Sequence, residues 1–117
     1  MVILGLKNKI SIGFASNLVT LILDGSKTLT YRIGNKYDFL KIGDEIQVHD
    51  SSTGKVFGKV KIIEKSYTTF QDLPIDRKGH EVYKSKQEQR ETFEKYYGRV
   101  NDNDRILILG YKLLEKY

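Results

Sequence analysis

Three side chains that could bind or cleave a polar ligand lie within the segment Gly25-Ser26-Lys27-Thr28-Leu29-Thr30-Tyr31-Arg32. The residues after Lys27 alternate in polarity as a β-strand does, and alternate residues of a strand share a face. Thr30 and Arg32 are therefore expected on one polar face, with Lys27 leaning over it from the mouth of the strand. An ammonium, a hydroxyl and a guanidinium brought together in this way predict a site for an anionic or carbonyl-bearing ligand.

These residue types suit the cleavage of an amide, which needs a nucleophile, a base that activates it and an acid for the leaving nitrogen. A threonine hydroxyl is a nucleophile only beside a base, and a lysine acts as that base when burial lowers its pKa. Arg32 would bind a carbonyl oxygen, a developing oxyanion or a phosphate. In the alternative interpretation Lys27 is a solvated loop cation and Thr30 an ordinary strand residue. The residue types alone leave both interpretations open.

The pattern G-x-K-x-x-x-x-R, filled by Gly25, Lys27 and Arg32, resembles the signature of the ASCH family (activating signal cointegrator homology domains). These are small barrels related to the PUA RNA-binding fold, and the order of elements agrees over roughly residues 10–115. A branch of small bacterial ASCH proteins is an amidohydrolase of N4-acetylcytidine with a catalytic Lys, Thr and Glu. The resemblance implies that Lys27 and Thr30 fill the first two places, and that Glu81 is the best positional match for the third.

The resemblance also implies an alternative, a non-catalytic RNA-binding module or a ribonuclease that uses the same basic residues on phosphates. Glu81 has an ordinary explanation too, since acidic residues are favoured near the start of a helix by its dipole. The substrate-binding residues expected around the catalytic set are Gly25, Arg32, Tyr31 and His80. The sequence predicts no metal site, because its two histidines lack further ligands at a known spacing, and it implies no cofactor.

The chain as a whole, 117 residues with 39% hydrophobic and 30% charged residues, is expected to form one domain over residues 1–117. We predict an α+β fold, a small PUA-like β-barrel of about five to six mixed strands with two main helices. The helices are predicted over 15–24, with Ser16 or Asn17 as N-cap, and over 81–97, with a solvated middle. Gly25 ends the first because glycine adopts the left-handed cap conformation easily. A central strand, apolar on both faces, is predicted over 105–114.

A hairpin is predicted between strands 45–49 and 55–64, with Glu45 opposite Lys59. Its second strand carries a basic stripe with one aromatic residue, which is a reasonable surface for single-stranded RNA. The RNA-contact candidates are Lys55, Lys59, Lys61 and Lys65, with Phe57 on the same face. The formal net charge of +5 and the pI of about 9.3 also favour an anionic partner. A lysine-rich or thermophilic source would give the same charge balance.

The remaining features concern the cellular setting. The chain has no cysteine, hence no disulfide framework. No apolar run approaches the roughly 20 residues that cross a bilayer, and residues 1–6 lack the basic leader and cleavage site of a signal peptide. The expected partner is a modified nucleoside or RNA and not a membrane, the expected location is the cytoplasm, and the expected state is a monomer or weak dimer.

Overall fold

A computed structural model describes residues 10–117, and in it five strands form one mixed sheet in the order β1-β3-β4-β5-β2. The strands are β1 (Ser11–Phe14), β2 (Leu29–Ile33), β3 (Glu45–Asp50), β4 (Val56–Thr69) and β5 (Arg105–Lys116). Among the strand pairs of residues 10–117, β1 and β3 are the one parallel pair. The predicted α+β class is confirmed. The backbone pairing within residues 10–117 does not close the expected barrel into a ring. The expectation about residues 1–6 lies outside the described residues.

Two hydrophobic cores lie on the two faces of this sheet. The first contains Ile12, Val48, Val60 and Leu109, and the second contains Leu29, Tyr31, Phe70, Phe93 and Ile108. Strand β5 contributes alternate residues to each core, as its two apolar faces predict. Because β2 pairs with β5 and Thr30 lies opposite Leu109, Thr30 and Arg32 face the first core while Leu29 and Tyr31 enter the second.

The two helices are shorter than predicted. Helix α1 (Val19–Leu23) follows a 3-10 turn at Ser16–Leu18, and neither element has a side-chain N-cap, so the prediction of Ser16 or Asn17 was wrong. Helix α2 (Lys86–Tyr97) begins five residues later than the predicted residue 81, because the Ser85 hydroxyl accepts from the Glu88 amide and caps it there. Its middle is not fully solvated, since Gln89 is buried. No helix of the described chain is long and apolar enough to cross a membrane.

The hairpin of β3 and β4 has a different register from the predicted one. Glu45 lies opposite Lys61 instead of Lys59, and an irregularity between Val48 and His49 shifts the ladder near the turn. The predicted faces of Ile46 and Val60 are nevertheless correct, because a shift of two residues preserves the face. Strand β4 also runs to Thr69, beyond the predicted residue 64, since a second irregularity after Ile62 lets it continue along β5.

Candidate active site

Lys27 is a buried lysine placed by the turn that ends α1. Gly25 adopts a φ of +84°, which glycine reaches without strain, and the Asp24 carboxylate accepts from the Ser26 amide at 2.8 Å. The Lys27 amide then bonds back to the Leu21 carbonyl at 2.9 Å. Only 4% of Lys27 is exposed, and its Nζ donates to the Leu29 carbonyl at 2.7 Å. The ammonium therefore lies beside the Leu29–Thr30 peptide.

The partner of this ammonium is the carboxylate of Glu81, with Lys27 Nζ and Glu81 Oε2 2.6 Å apart. The two residues are 54 positions apart in the chain, and Glu81 lies in the loop before α2 and not at the helix start. The helix-dipole explanation for Glu81 is therefore excluded. The alternative interpretation of Lys27 as a solvated loop cation is also excluded, because the residue is buried and paired.

The loop of residues 75–84, which carries His80 and Glu81, is fastened to the start of β2. The Gly79 carbonyl accepts from the amides of Thr28 at 2.8 Å and Leu29 at 3.1 Å. Gly79 has a φ of +96°, and a Cβ built on it would lie 2.3 Å from Thr28 Oγ1. Glycine is thus required both by the backbone conformation and by the close approach of the two segments.

Thr30 and Arg32 share the polar face of β2, as predicted from the alternation. Arg32 Nε donates to Thr30 Oγ1 at 2.8 Å, and Arg32 Nη2 donates to the carbonyl of Gly13 in β1 at 2.7 Å. The guanidinium lies 4.9 Å from the ring centre of Phe14 and 5.3 Å from that of Tyr37. Arg32 therefore bridges the two edge strands of the sheet and fixes the orientation of the Thr30 hydroxyl.

Burial and charge shift the acid–base behaviour of this group. Burial lowers the pKa of Lys27; the Glu81 carboxylate opposes that effect and the charge of Arg32 adds to it. Burial alone would raise the pKa of Glu81, but the charges of Lys27 and His80 and the bond from Lys27 lower it overall. The lowered pKa of Lys27 favours loss of its proton, whereas the lowered pKa of Glu81 favours the ionised carboxylate, so the two groups form an ion pair in the resting state.

These groups line one cleft of about 370 Å³, which is within the size range of small-molecule sites. Lys27, Thr30, Arg32, His80 and Glu81 form its polar part. Its aromatic walls are Phe14, Tyr31, Tyr83, Phe93, Tyr96 and Tyr97. Of the predicted catalytic and substrate-binding residues, only Gly25 lies outside this cleft, beside a separate cavity next to Tyr111.

His80 and Tyr31 stack in parallel at the wall of the cleft, with ring centres 3.9 Å apart and an angle of 4° between the planes. Sequence reasoning missed Tyr96 and Tyr97 as cleft residues, because the paired aromatics at the end of α2 are equally typical of a packing face. Of the aromatic residues that follow β2 in the chain, Tyr37 packs beneath Arg32, whereas Phe39 is 46% exposed.

The basic stripe predicted on the hairpin does not form one surface. Phe57 is buried in the first core, and Lys59 pairs with Glu45 at 3.3 Å and Glu115 at 3.6 Å. Residues directly opposite each other share a face, so Lys65, opposite Leu109, lies on the face of the first core, whereas Lys61 lies on the other face. Lys65 also donates to the Asp38 carbonyl at 2.6 Å. Lys55 and Lys61 remain exposed.

Solved structures share this fold. A protein from Enterococcus faecalis V583, of family model DUF984, is 11% identical with a TM-score of 0.69, covering 92% of this chain and 81% of its own. An ASCH domain from Lactobacillus crispatus JV V101 is 16% identical with a TM-score of 0.64, covering 90% and 80%. ASCH from Zymomonas mobilis is 17% identical with a TM-score of 0.59, covering 87% and 65%.

No protein-family model matches the chain, and no curated protein is significantly similar to it. The likeness to the solved structures is therefore one of fold. It confirms that the resemblance found in the G-x-K-x-x-x-x-R segment extends to the arrangement of strands and helices.

Proposed function

We propose that this protein, a chain with the ASCH fold, is a small hydrolase that cleaves the acetyl amide of N4-acetylcytidine to cytidine and acetate. The observation that carries the proposal is the 2.6 Å pair of the buried Lys27 and the partly buried Glu81, in a cleft that Thr30 also lines. An amine and a carboxylate that exchange a proton, next to a hydroxyl, supply the base, acid and nucleophile of amide cleavage.

The first step is a proton transfer from the Lys27 ammonium to the Glu81 carboxylate, which gives a neutral amine and a carboxylic acid. The Lys27 amine then takes the proton of the Thr30 hydroxyl, while the Thr30 oxygen attacks the carbon of the acetyl carbonyl. Arg32 donates to Thr30 Oγ1 through Nε, so the hydroxyl accepts from the guanidinium and keeps its own proton free for Lys27.

The tetrahedral intermediate collapses when Glu81 gives its proton to the leaving N4 nitrogen, which breaks the C–N bond and releases cytidine. The acetyl group is left as an ester on Thr30. Water then attacks this ester and gives a proton to Glu81. The Lys27 ammonium returns its proton to Thr30 Oγ1 as the C–O bond breaks, which restores the hydroxyl and releases acetic acid as acetate and a proton. Within residues 10–117 the hydrogen bonds of Arg32 use Nε and Nη2, so its Nη1 remains able to stabilise the oxyanion.

The shape of the cleft suits a nucleoside with a flat base. Its aromatic walls include Tyr83 on the loop before α2 and Tyr96 and Tyr97 on α2. A pyrimidine stacks well on such rings. The cleft also keeps the reacting groups away from bulk water, because Lys27 and Thr30 are each 4% exposed.

The alternative function is a non-catalytic RNA-binding module or a ribonuclease. It is supported by the net charge of +5 and by the exposed Lys55 and Lys61. The ion pairs of Lys59 and the carbonyl bond of Lys65 reduce the charge that the hairpin can offer to phosphates. We therefore favour the hydrolase.

The test is incubation of the purified protein with N4-acetylcytidine, followed by chromatography of the nucleosides and assay of acetate. We expect equimolar cytidine and acetate. Intact N4-acetylcytidine at high protein concentration would remove the hydrolase proposal. Tight binding to short RNA that weakens steeply as salt rises, without turnover, would support the alternative instead.

A further inference from the structure

His80 is held in one orientation at the wall of the cleft. Its ring stacks on Tyr31 with ring centres 3.9 Å apart, and the tilted ring of Tyr83 has its centre 6.0 Å away. Its Nδ1 lies 3.1 Å from the backbone carbonyl of Glu81, and only 6% of its side chain is exposed. A ring fixed in this way can present one edge to a ligand with little loss of conformational entropy.

The tautomer of His80 follows from that bond. A carbonyl oxygen only accepts, so Nδ1 must carry the proton, and in the neutral ring Nε2 then holds a lone pair. Burial and the positive charge of Lys27 lower the pKa of His80 to about 4, so the ring is neutral near pH 7. Within residues 10–117 the imidazole ring of His80 makes its hydrogen bond through Nδ1 alone, which leaves Nε2 available.

This lone pair differs from the other polar groups of the cleft. Lys27 and Arg32 only donate, the Thr30 hydroxyl accepts from Arg32, and the Glu81 carboxylate is held by Lys27. Nε2 of His80 is thus an uncharged acceptor in the same cleft as the cationic donors Lys27 and Arg32. An acceptor of this kind selects ligands that carry an N–H or O–H donor and rejects ligands that lack this donor.

Building on the proposed function, we propose that His80 is a specificity-determining residue whose Nε2 accepts a hydrogen bond from the amide N–H of the substrate. The substrates are then secondary amides attached to a flat ring. In such an amide the nitrogen of the leaving group carries one hydrogen before cleavage. The bond would also fix the rotation of the amide, so that the nitrogen faces the proton of Glu81.

The test compares two substrates, N4-acetylcytidine and N4-acetyl-N4-methylcytidine, in which a methyl group replaces the N–H. The variant is His80→Phe, which keeps a flat ring against Tyr31 and removes the acceptor. We expect the wild type to prefer the N–H substrate, and His80→Phe to lower kcat/KM for that substrate roughly tenfold, mainly through KM. We expect kcat/KM for the methylated substrate to stay within about twofold.

An equal fall in kcat/KM for both substrates in His80→Phe would show that His80 acts only through structure and would overturn the inference. Equal kcat/KM values of the wild type for the two substrates would also overturn it. Tyr31→Phe is the matched control, because it retains the stacked ring and leaves Nε2 in place, so the preference should persist. If neither nucleoside is cleaved, the proposed function fails. Calorimetric Kd values then decide the inference, and equal affinity or no binding of either nucleoside overturns it.

Discussion

The charge of Lys27 is balanced by a single carboxylate in a site that excludes most water. A buried lysine without a partner would lose its proton, and a buried carboxylate without one would gain it. The 2.6 Å contact with Glu81 keeps both groups ionised in the resting state, and it also gives a proton a direct path from Lys27 to Glu81. Substitution of either residue is therefore expected to end the catalytic role of the other.

Burial and the positive charge of Lys27 lower the pKa of His80 from 6.5 to about 4 on folding. Between these pH values the unfolded chain binds more protons than the folded one, so the free energy of unfolding rises with pH across this window. We expect acidification from pH 7 to pH 4 to reduce it by about 3 kcal/mol through His80. Glu81, whose pKa is also lowered, adds a loss in the same direction at the acidic end.

Denaturant unfolding at several pH values measures this effect. His80→Phe is the informative variant, because its ring cannot be protonated and the slope between pH 6.5 and pH 4 should become much shallower. A slope identical to that of the wild type would show that other groups carry the acid response.

Among the individual residues of the site, those on β2 could be placed from the sequence alone. Alternation along β2 predicted that Thr30 and Arg32 share a face, and this is confirmed because a strand fixes side-chain direction locally. Glu81 was reached only through the family resemblance. No local pattern could place it beside Lys27, since the two are brought together by the packing of a loop against β2.

At the scale of elements, the decisive contact is between the loop of residues 75–84 and the first residues of β2. Gly79 makes that contact, and its φ of +96° and the 2.3 Å approach to Thr28 Oγ1 leave no room for a side chain. Gly79→Ala should destabilise the fold by roughly 1–3 kcal/mol. It should also reduce turnover of N4-acetylcytidine at least tenfold, because the loop that carries Glu81 must move away from Lys27.

The matched control is Gly54→Ala in the hairpin turn. Gly54 also has a positive φ, +76°, but a Cβ at this position would meet no atom within 4 Å beyond its chain neighbours. This variant should lose about 1 kcal/mol of stability from backbone strain alone and retain its turnover. Equal turnover in the two variants would contradict the assigned role of the loop.

Prediction of the elements succeeded where hydrophobic periodicity was strong and failed where polar residues carried the structure. Strand β5 was identified from its two apolar faces. The start of α2 was placed too early, because the charged residues after Glu81 do not distinguish an extended loop from a helix. The ladder irregularities in β4 left no mark in the sequence, so the predicted register of the hairpin and the predicted face of Lys65 were wrong.

At the scale of the whole molecule, the cleft lies where the two edge strands of the sheet approach each other. Arg32 of β2 reaches the Gly13 carbonyl of β1, and α2 with its tyrosines covers the other side. Composition predicted the net charge of +5 and could not predict its distribution. Part of that charge is neutralised in ion pairs on the hairpin. Inside the cleft the charge of Lys27 is balanced by Glu81, and Arg32 adds a further positive charge.

The most direct test of this account is the rate of cytidine release from N4-acetylcytidine by Lys27→Ala and Lys55→Ala, measured beside the wild type. Lys55 is an exposed lysine outside the cleft, so Lys55→Ala should match the wild type within about twofold. Lys27→Ala, with an unchanged circular dichroism spectrum, should be slower by roughly 10³-fold, because it lacks the base that activates Thr30. Equal rates in the two variants would contradict the assignment of the Lys27–Glu81 pair as the catalytic centre.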